Sequence, residues 1–341
     1  MFVWVKRILA VALAAALALT MTSCTKPENK VVKSNPKVIF VTDVGGLGDQ
    51  SFNDAIWTAC EDASDEYGAD VRCLESNTGK EVISNTEDAS NDEPVVVVTC
   101  GKNGARAVKR TAKDHPDINY VVIDYKVDLP NVASVFFKEQ EGSFLAGVAA
   151  AMKTETNKVG FVGGINSSSM RRFYYGFRAG VKTADKDVKV LKTFTGSYNS
   201  RIDGMSAAKK LYAEGADVIF TASGLDNTGV IKYAGLKNFW VIGSDKDQSG
   251  LDSNHVMCSM TKNLSVAVDS EVKAAVKGHF KAETVEYGLK EEGVALSDKA
   301  GNLNDDEEDA VAEWQHAIIK GRFKVPFSKS TYADFEIPKL K

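Results

Sequence analysis

The chain is poor in cysteine and histidine and has no excess of positive charge. Its 5 cysteines show no CxxC spacing, and beyond Cys24 only the dispersed Cys60, Cys73, Cys100 and Cys258 remain. A zinc site or a redox dithiol needs clustered thiols, so neither is expected. The 4 histidines, His115, His255, His279 and His316, are equally scattered, with no metal cluster or activated nucleophile in view. No catalytic residue, metal or cofactor is therefore expected, and an enzyme is disfavoured. With 42 basic and 46 acidic residues, the net charge of -4 offers no electrostatic footprint for nucleic acid. Long apolar runs are missing too: Ile8 to Thr20 falls short of the roughly 20 residues that a membrane-spanning helix needs.

That short run has another reading. Lys6 and Arg7 precede it, and Met21-Thr22-Ser23 leads from it into Cys24, which is the layout of a bacterial export signal. Met21-Thr22-Ser23-Cys24 resembles a lipobox, in which the cysteine after the cut takes a diacylglycerol. Residues 1–23 are then a removable leader and 24–36, rich in Lys, Asn, Ser and Pro, a flexible tether. The protein is expected outside the cytoplasm, held to the cell membrane by lipidated Cys24 alone. Ordinary secretion with an incidental Cys24 is the alternative.

Beyond the tether, more than three hundred residues exceed what one core usually organises, and 44% hydrophobic with 26% charged content is that of a globular protein. Short β-rich runs alternate with helical patterns. Lys37–Asp43, Ala69–Leu74, Pro94–Cys100, Asn119–Asp124 and Val132–Phe137 read as strands buried on both faces, as in a parallel sheet. Helices are expected between them and over Glu139–Lys153. The same grammar restarts at Lys158–Gly163 and continues through Val188–Phe194, Asp217–Ala222 and Phe239–Gly243. The reading is α/β with two Rossmann-like parallel-sheet lobes. Residues 37–153 plus about 262–281 would form the first lobe, and about 157–250 plus 284–341 the second. In that division the strand His255–Met260 and the helix Leu264–Lys277 return to the first lobe, and Glu283–Leu289 goes to the second. Three crossings, near Lys153–Lys158, Gln248–Lys262 and His279–Tyr287, would make the hinge.

Ligands of open α/β sheets sit beyond the carboxyl ends of the strands. Asp43, Cys100-Gly101, Asp124, Gly163-Gly164, Tyr198, Ser223-Gly224 and Asp245 fall there. An ionised carboxylate only accepts hydrogen bonds, so Asp43, Asp124 and Asp245 ask for a ligand rich in hydroxyl, ring N–H or amine donors. Each could instead cap a helix, but three on one edge favour a site. Phe52 and Tyr198 add flat aromatic faces, whereas Trp57, one turn into a helix, reads better as core. The loop Val44-Gly45-Gly46-Leu47-Gly48-Asp49 lacks GxGxxG spacing, and Asp43, Asp49 and Asp54 would repel a phosphate.

Four ordered motifs carry a family resemblance. They are Val41-Thr42-Asp43 with Gly48-Asp49-Gln50-Ser51-Phe52-Asn53, then Phe137-Lys138-Glu139-Gln140-Glu141-Gly142 through Gly147, then Val241-Ile242-Gly243-Ser244-Asp245-Lys246-Asp247-Gln248, and Ser259-Met260-Thr261-Lys262. Together they look like the basic membrane protein (BMP) family of lipoproteins, most of all its purine nucleoside receptors. The resemblance implies a type I periplasmic-binding-protein fold with a three-segment hinge. It also implies an ABC-transporter substrate-binding role, delivering purine nucleosides such as guanosine, inosine or adenosine to permease subunits, as a monomer.

The resemblance further implies that Phe52 and Tyr198 sandwich the purine, with Tyr198 standing where a Phe is familiar. Asp124 would read the base, while Asp43, Asp245 and Lys262 hold the ribose, and Asn53 and Gly224 add polar contacts. Lys262 would accompany Asp245. The loop Asn166-Ser167-Ser168-Ser169-Met170 departs most from the family pattern. A binding protein for a sugar or another small polar ligand shares the fold and is the alternative.

Overall fold

The computed structural model describes residues 35–340. Val96–Cys100 (β3) is buried along its whole length, and such a continuous apolar run is stable only inside a sheet covered on both faces. It pairs in parallel with Lys37–Val41 (β1) and Asn119–Ile123 (β4). Asp70–Leu74 (β2) flanks β1, and Val132–Phe137 (β5) flanks β4. Thr284–Tyr287 (β11) completes a six-stranded parallel sheet of order β11-β5-β4-β3-β1-β2.

A second six-stranded sheet repeats that plan. Its strands are Lys158–Gly163 (β6), Lys189–Phe194 (β7), Val218–Ala222 (β8), Trp240–Asp245 (β9), Val256–Lys262 (β10) and Val294–Ser297 (β12), in the order β12-β10-β9-β8-β6-β7. Only the last pairing, β12 with β10, is antiparallel. The two orders correspond strand for strand, so β4 and β9 occupy equivalent places. The expected α/β architecture of two parallel-sheet lobes is what the chain adopts.

Helices fill both faces: Phe52–Tyr67 (α1), Gly79–Asn91 (α2) and Gly101–Thr111 (α3), then Glu139–Lys153 (α4), Ser168–Ala184 (α5), Arg201–Ala213 (α6) and Asp226–Lys237 (α7), and later Leu264–Val276 (α8), Asp305–Ile319 (α9) and the short Lys329–Ala333 (α10). Local chemistry sets their starts. Ser167 caps α5 by accepting from Met170 N, and Asn304 with Glu307 forms a capping box on α9.

Sheet membership corrects the expected division at three points. Helix α4 packs on α5, α9, β10 and β12, and so covers the second sheet, not the first. The reason is steric: Gly147, Gly176 and Gly180 let the α4 and α5 backbones touch, since a Cβ at Gly147 would overlap Phe177 O and one at Gly180 would overlap Phe144 O. Strand β10, expected in the first lobe, lies inside the second sheet between β9 and β12, where a run buried at every position but Thr261 is covered. Strand β11, expected in the second lobe, is the edge of the first sheet, and its alternating exposure suits an edge. Helix α8 packs on α1, in the first lobe as expected.

The crossings move accordingly. They fall at Lys138 between β5 and α4, at Asn263 between β10 and α8, and at 288–293 between β11 and β12. Backbone hydrogen bonds tie them together: Lys138 N donates to Tyr287 O at 2.8 Å, and Asn263 N to Gly293 O at 2.9 Å.

Candidate functional site

Asp43, Phe52, Asn53, Asp124, Tyr198, Gly224, Asp245 and Lys262 all line one cavity of about 550 Å³. The fold brings them there for one reason, that the carboxyl ends of both sheets face each other. Asp43 follows β1, Asp124 follows β4, Tyr198 follows β7 and Gly224 follows β8, while Asp245 and Lys262 end β9 and β10. Of the neighbouring positions, Gly101 lines the cavity, and Gly164 lies under the Tyr198 ring, where a Cβ would collide with it. Trp57 packs against the core as expected. Cys24 lies outside the described residues.

The entry to α1 is held by Asp49, which sequence reasoning treated only as a repellent for phosphate. Its buried carboxylate accepts from Ser51 N at 2.8 Å, Asn53 N at 2.8 Å and Asp54 N at 3.2 Å. Burial pushes its pKa up to about 6 against the lowering effect of those amides. Asn53 is more committed than expected. Its amide nitrogen donates to Asp43 Oδ1 at 2.9 Å and to Asp49 Oδ2 at 3.1 Å, so both donors serve the loop.

Lys262 departs from its expected partner. Its buried ammonium lies 2.6 Å from Asp124 Oδ2 and 3.2 Å from Glu139 Oε1, so it pairs with these rather than with Asp245. The rings of Phe52, Phe137 and Phe173 surround it at 4.8, 5.3 and 5.6 Å from their centroids. Burial opposes its charge, but Asp124, Glu139 and Asp245 together outweigh burial and hold its pKa above the ordinary lysine range. The strand end β10 aims Lys262 across the cleft because β10 belongs to the second sheet.

Asp124 Oδ2 is thus occupied, whereas Asp124 Oδ1 is buried without any hydrogen-bond partner. A buried carboxylate oxygen left unpaired is costly, and a ligand donor would satisfy it. Asp245 accepts from Ser51 Oγ at 2.8 Å, and burial raises its pKa while Lys262 and Ser51 lower it. Gln248 Nε2 donates to Gln50 O at 2.9 Å and Asn199 Nδ2 to Val44 O at 3.2 Å, so the two lobes meet around the cavity.

Tyr198 is fixed from behind. Leu225 N donates to Tyr198 O at 2.9 Å, and Gly224 has φ +61° with Tyr198 O so near that a Cβ would sit 2.8 Å away. Both the positive φ and the close approach require glycine there. Met170, Phe173 and the segment Asn166–Ser169 complete the wall. The aromatic Phe173 was legible only as helix core, since it also packs on Phe220. Glu139 stood inside the Lys-Glu-Gln motif without an assigned role.

Two facing parallel sheets with a polar, aromatic-walled cavity between their carboxyl ends define a two-lobed solute-binding protein. The chain belongs to the Bmp family, described as ABC transporter substrate-binding protein PnrA-like, which it matches over residues 36–329. It is 33% identical over 349 aligned positions to the ABC transporter nucleoside-binding protein BmpA of Lactococcus lactis subsp. cremoris, covering 94% of this chain and 99% of the relative. Basic membrane protein A of Borreliella burgdorferi is 31% identical over 314 positions, covering 88% and 90%. Among solved structures, a solute-binding protein of an ABC transporter system from Aeropyrum pernix K1 superposes with a TM-score of 0.78 at 28% identity, covering 88% of this chain and 96% of that one. The family is one of solute-binding proteins rather than enzymes, and its role implies a ligand and permease partners. Among the described residues, no helix is long and apolar enough to cross a membrane.

Proposed function

We propose that the protein captures purine nucleosides outside the cytoplasm, anchored to the membrane through lipidated Cys24, and presents them as a monomer to an ABC importer. The unpartnered Oδ1 of Asp124 carries this reading. It calls for a donor on the ligand; a purine supplies one in a ring N–H or exocyclic amine and is flat enough to lie between Phe52 and Tyr198. Asp43 and Asp245 then face the sugar hydroxyls, which donate as carboxylates require. Lys262 acts through Asp124, fixing the orientation of its carboxylate by the 2.6 Å contact to Oδ2. The nucleoside-binding relative from Lactococcus lactis supports the same ligand class.

Charge argues for a nucleoside over a nucleotide. Asp43, Asp49, Asp124 and Asp245 line the cavity against Lys102 and Lys262, and Lys262 is already neutralised by its carboxylates. A phosphate would bring negative charge to an acidic wall. Calorimetric titration of the unfolded and refolded protein with guanosine, inosine, adenosine, cytidine, ribose, arabinose and free adenine tests the proposal. Purine nucleosides are expected to bind at least tenfold more tightly than the others. Binding of a pentose with no response to any nucleoside would replace it with a sugar-binding reading.

A further inference from the structure

Behind Lys262 lies a chain of charges, Glu139, Arg172 and Glu286, that is not part of the cavity lining. Glu139, the first residue of α4, is buried, and its Oε1 faces Lys262 at 3.2 Å. Its other oxygen, Oε2, lies 2.9 Å from Arg172 Nε on α5. Arg172 Nη2 then donates to Phe137 O, at 3.1 Å, and to Glu286 Oε1 on β11. Phe137 is the last residue of β5, immediately before the crossing at Lys138, and β11 is the edge strand of the first sheet. Arg172 and Glu139 both belong to the second lobe, so one guanidinium grips a second-lobe carboxylate, a first-lobe carbonyl and a first-lobe edge strand.

We infer that Arg172 is a positioning residue for the binding cleft: it clamps Glu139 to the hinge crossing, so that Lys262 is held against Asp124 and Asp124 Oδ1 is presented to the ligand. The charges require it. Asp124 and Glu139 both face Lys262, with Asp245 nearby, and Arg172 is the second cation facing Glu139. Glu286 and, more distantly, Asp124 are the other acids facing Arg172. Without the guanidinium, Glu139 is a buried carboxylate sharing one lysine with Asp124, and it takes up a proton more readily. Lys262 then loses one of its two anchors. The same guanidinium couples the ligand wall to the crossing between lobes, because its bonds to Phe137 O and Glu286 exist only when the first lobe lies against α5.

This inference rests on the nucleoside reading for its affinity arm but not for its titration arm. In the first arm, guanosine affinity is measured for the wild type, Arg172→Gln, Arg172→Lys and Glu286→Gln. Arg172→Gln is expected to weaken binding at least tenfold, increasingly as pH falls from 8 to 5.5, with partial recovery in Arg172→Lys. Glu286→Gln, which removes only the half-exposed outer anchor, is expected to weaken it two- to fivefold and guards against a folding failure of the first variant. In the second arm, the carboxyl carbon of Glu139 is followed by NMR in ligand-free protein labelled at glutamate and assigned with Glu139→Gln. Its midpoint should rise by a pH unit or more in Arg172→Gln. An unchanged midpoint overturns the clamp, and so does a shifted midpoint with unaltered guanosine affinity. If the wild type binds no nucleoside, the functional proposal fails and the midpoint alone decides this one.

Discussion

Asp124 and Asp245 stand at the carboxyl ends of the equivalent strands β4 and β9, and both have a left-handed backbone, with φ of 63° and 69°. Each pairs with the opposite lobe: Asp124 with Lys262 and Asp245 with Ser51. Asp and Asn tolerate that conformation better than other residues with a Cβ. The pair therefore serves both as cavity wall and as the joint between lobes.

Asp124→Asn keeps the left-handed backbone and removes only the charge. Lys262 then keeps Glu139 as its ion-pair contact, with Asp245 nearby, and the acceptor offered to the ligand weakens. A loss of about 2–4 kcal/mol, some 30- to 1000-fold in purine nucleoside affinity, is expected by calorimetry. Affinity within threefold of the wild type would remove Asp124 from base reading.

Phe52→Ala should weaken guanosine, inosine and adenosine by a similar factor, since a ring face distinguishes purines poorly. Base stacking is worth roughly 1–3 kcal/mol, so a five- to 150-fold loss is expected. Tyr198→Phe should bind almost as well, because the Tyr198 hydroxyl bonds the protein, at Ile165 O (3.4 Å) and Ser167, while the ring supplies the stacking face. Selective loss of one purine in Phe52→Ala would argue against the sandwich.

Ligand should draw the lobes together, as Ser51, Gln248 and Asn199 already link them around the cavity. Small-angle scattering is expected to show compaction on saturation with the preferred nucleoside. Ser51→Ala, which takes the donor from Asp245, should reduce affinity by about 1 kcal/mol and blunt the compaction. Identical profiles for ligand-free and saturated wild type would rule out closure as the response.

Stability should depend on pH through Glu271 on α8, a buried carboxyl whose pKa burial, reinforced by Glu283, pushes up to about 7. A folded pKa above the unfolded value of 4.5 means that ionisation opposes folding. The penalty is full above pH 7 and is relieved as pH falls from 7 towards 4.5. Glu271→Gln should therefore raise the Tm at pH 8, by the equivalent of about 1–3 kcal/mol, with little effect at pH 4.5. A Tm gain that is the same at both pH values would exclude this origin.

Cys24→Ser should leave ligand binding intact and release the protein from membranes, because lipid chains would be its only attachment. Cell fractionation measures this directly, and membrane retention of the variant would refute the anchor.

The sequence by itself determined every strand except the edge strand β12, nearly all the helices and the edge on which the site is built. Alternation of apolar runs with helical periods is local, and so is the rule that places Asp43, Asp124 and Asp245 at strand ends. The family resemblance also named Phe52, Tyr198 and Lys262, and the structure brings them to one cavity. Tertiary structure alone decided which sheet each late element joins. The run Val256–Lys262 reads as a buried strand in either lobe, and only its pairing with β9 and β12 chooses. Helix α4 belongs to the second lobe because Gly147 fits against the α5 backbone and Gly176 and Gly180 of α5 fit against that of α4, a relation between distant segments that no periodicity encodes. The partner of Lys262 followed from the same choice. Once β10 joins the second sheet, its end points at Asp124 across the cleft, and charge pairing is settled by distance in space rather than by order in the chain.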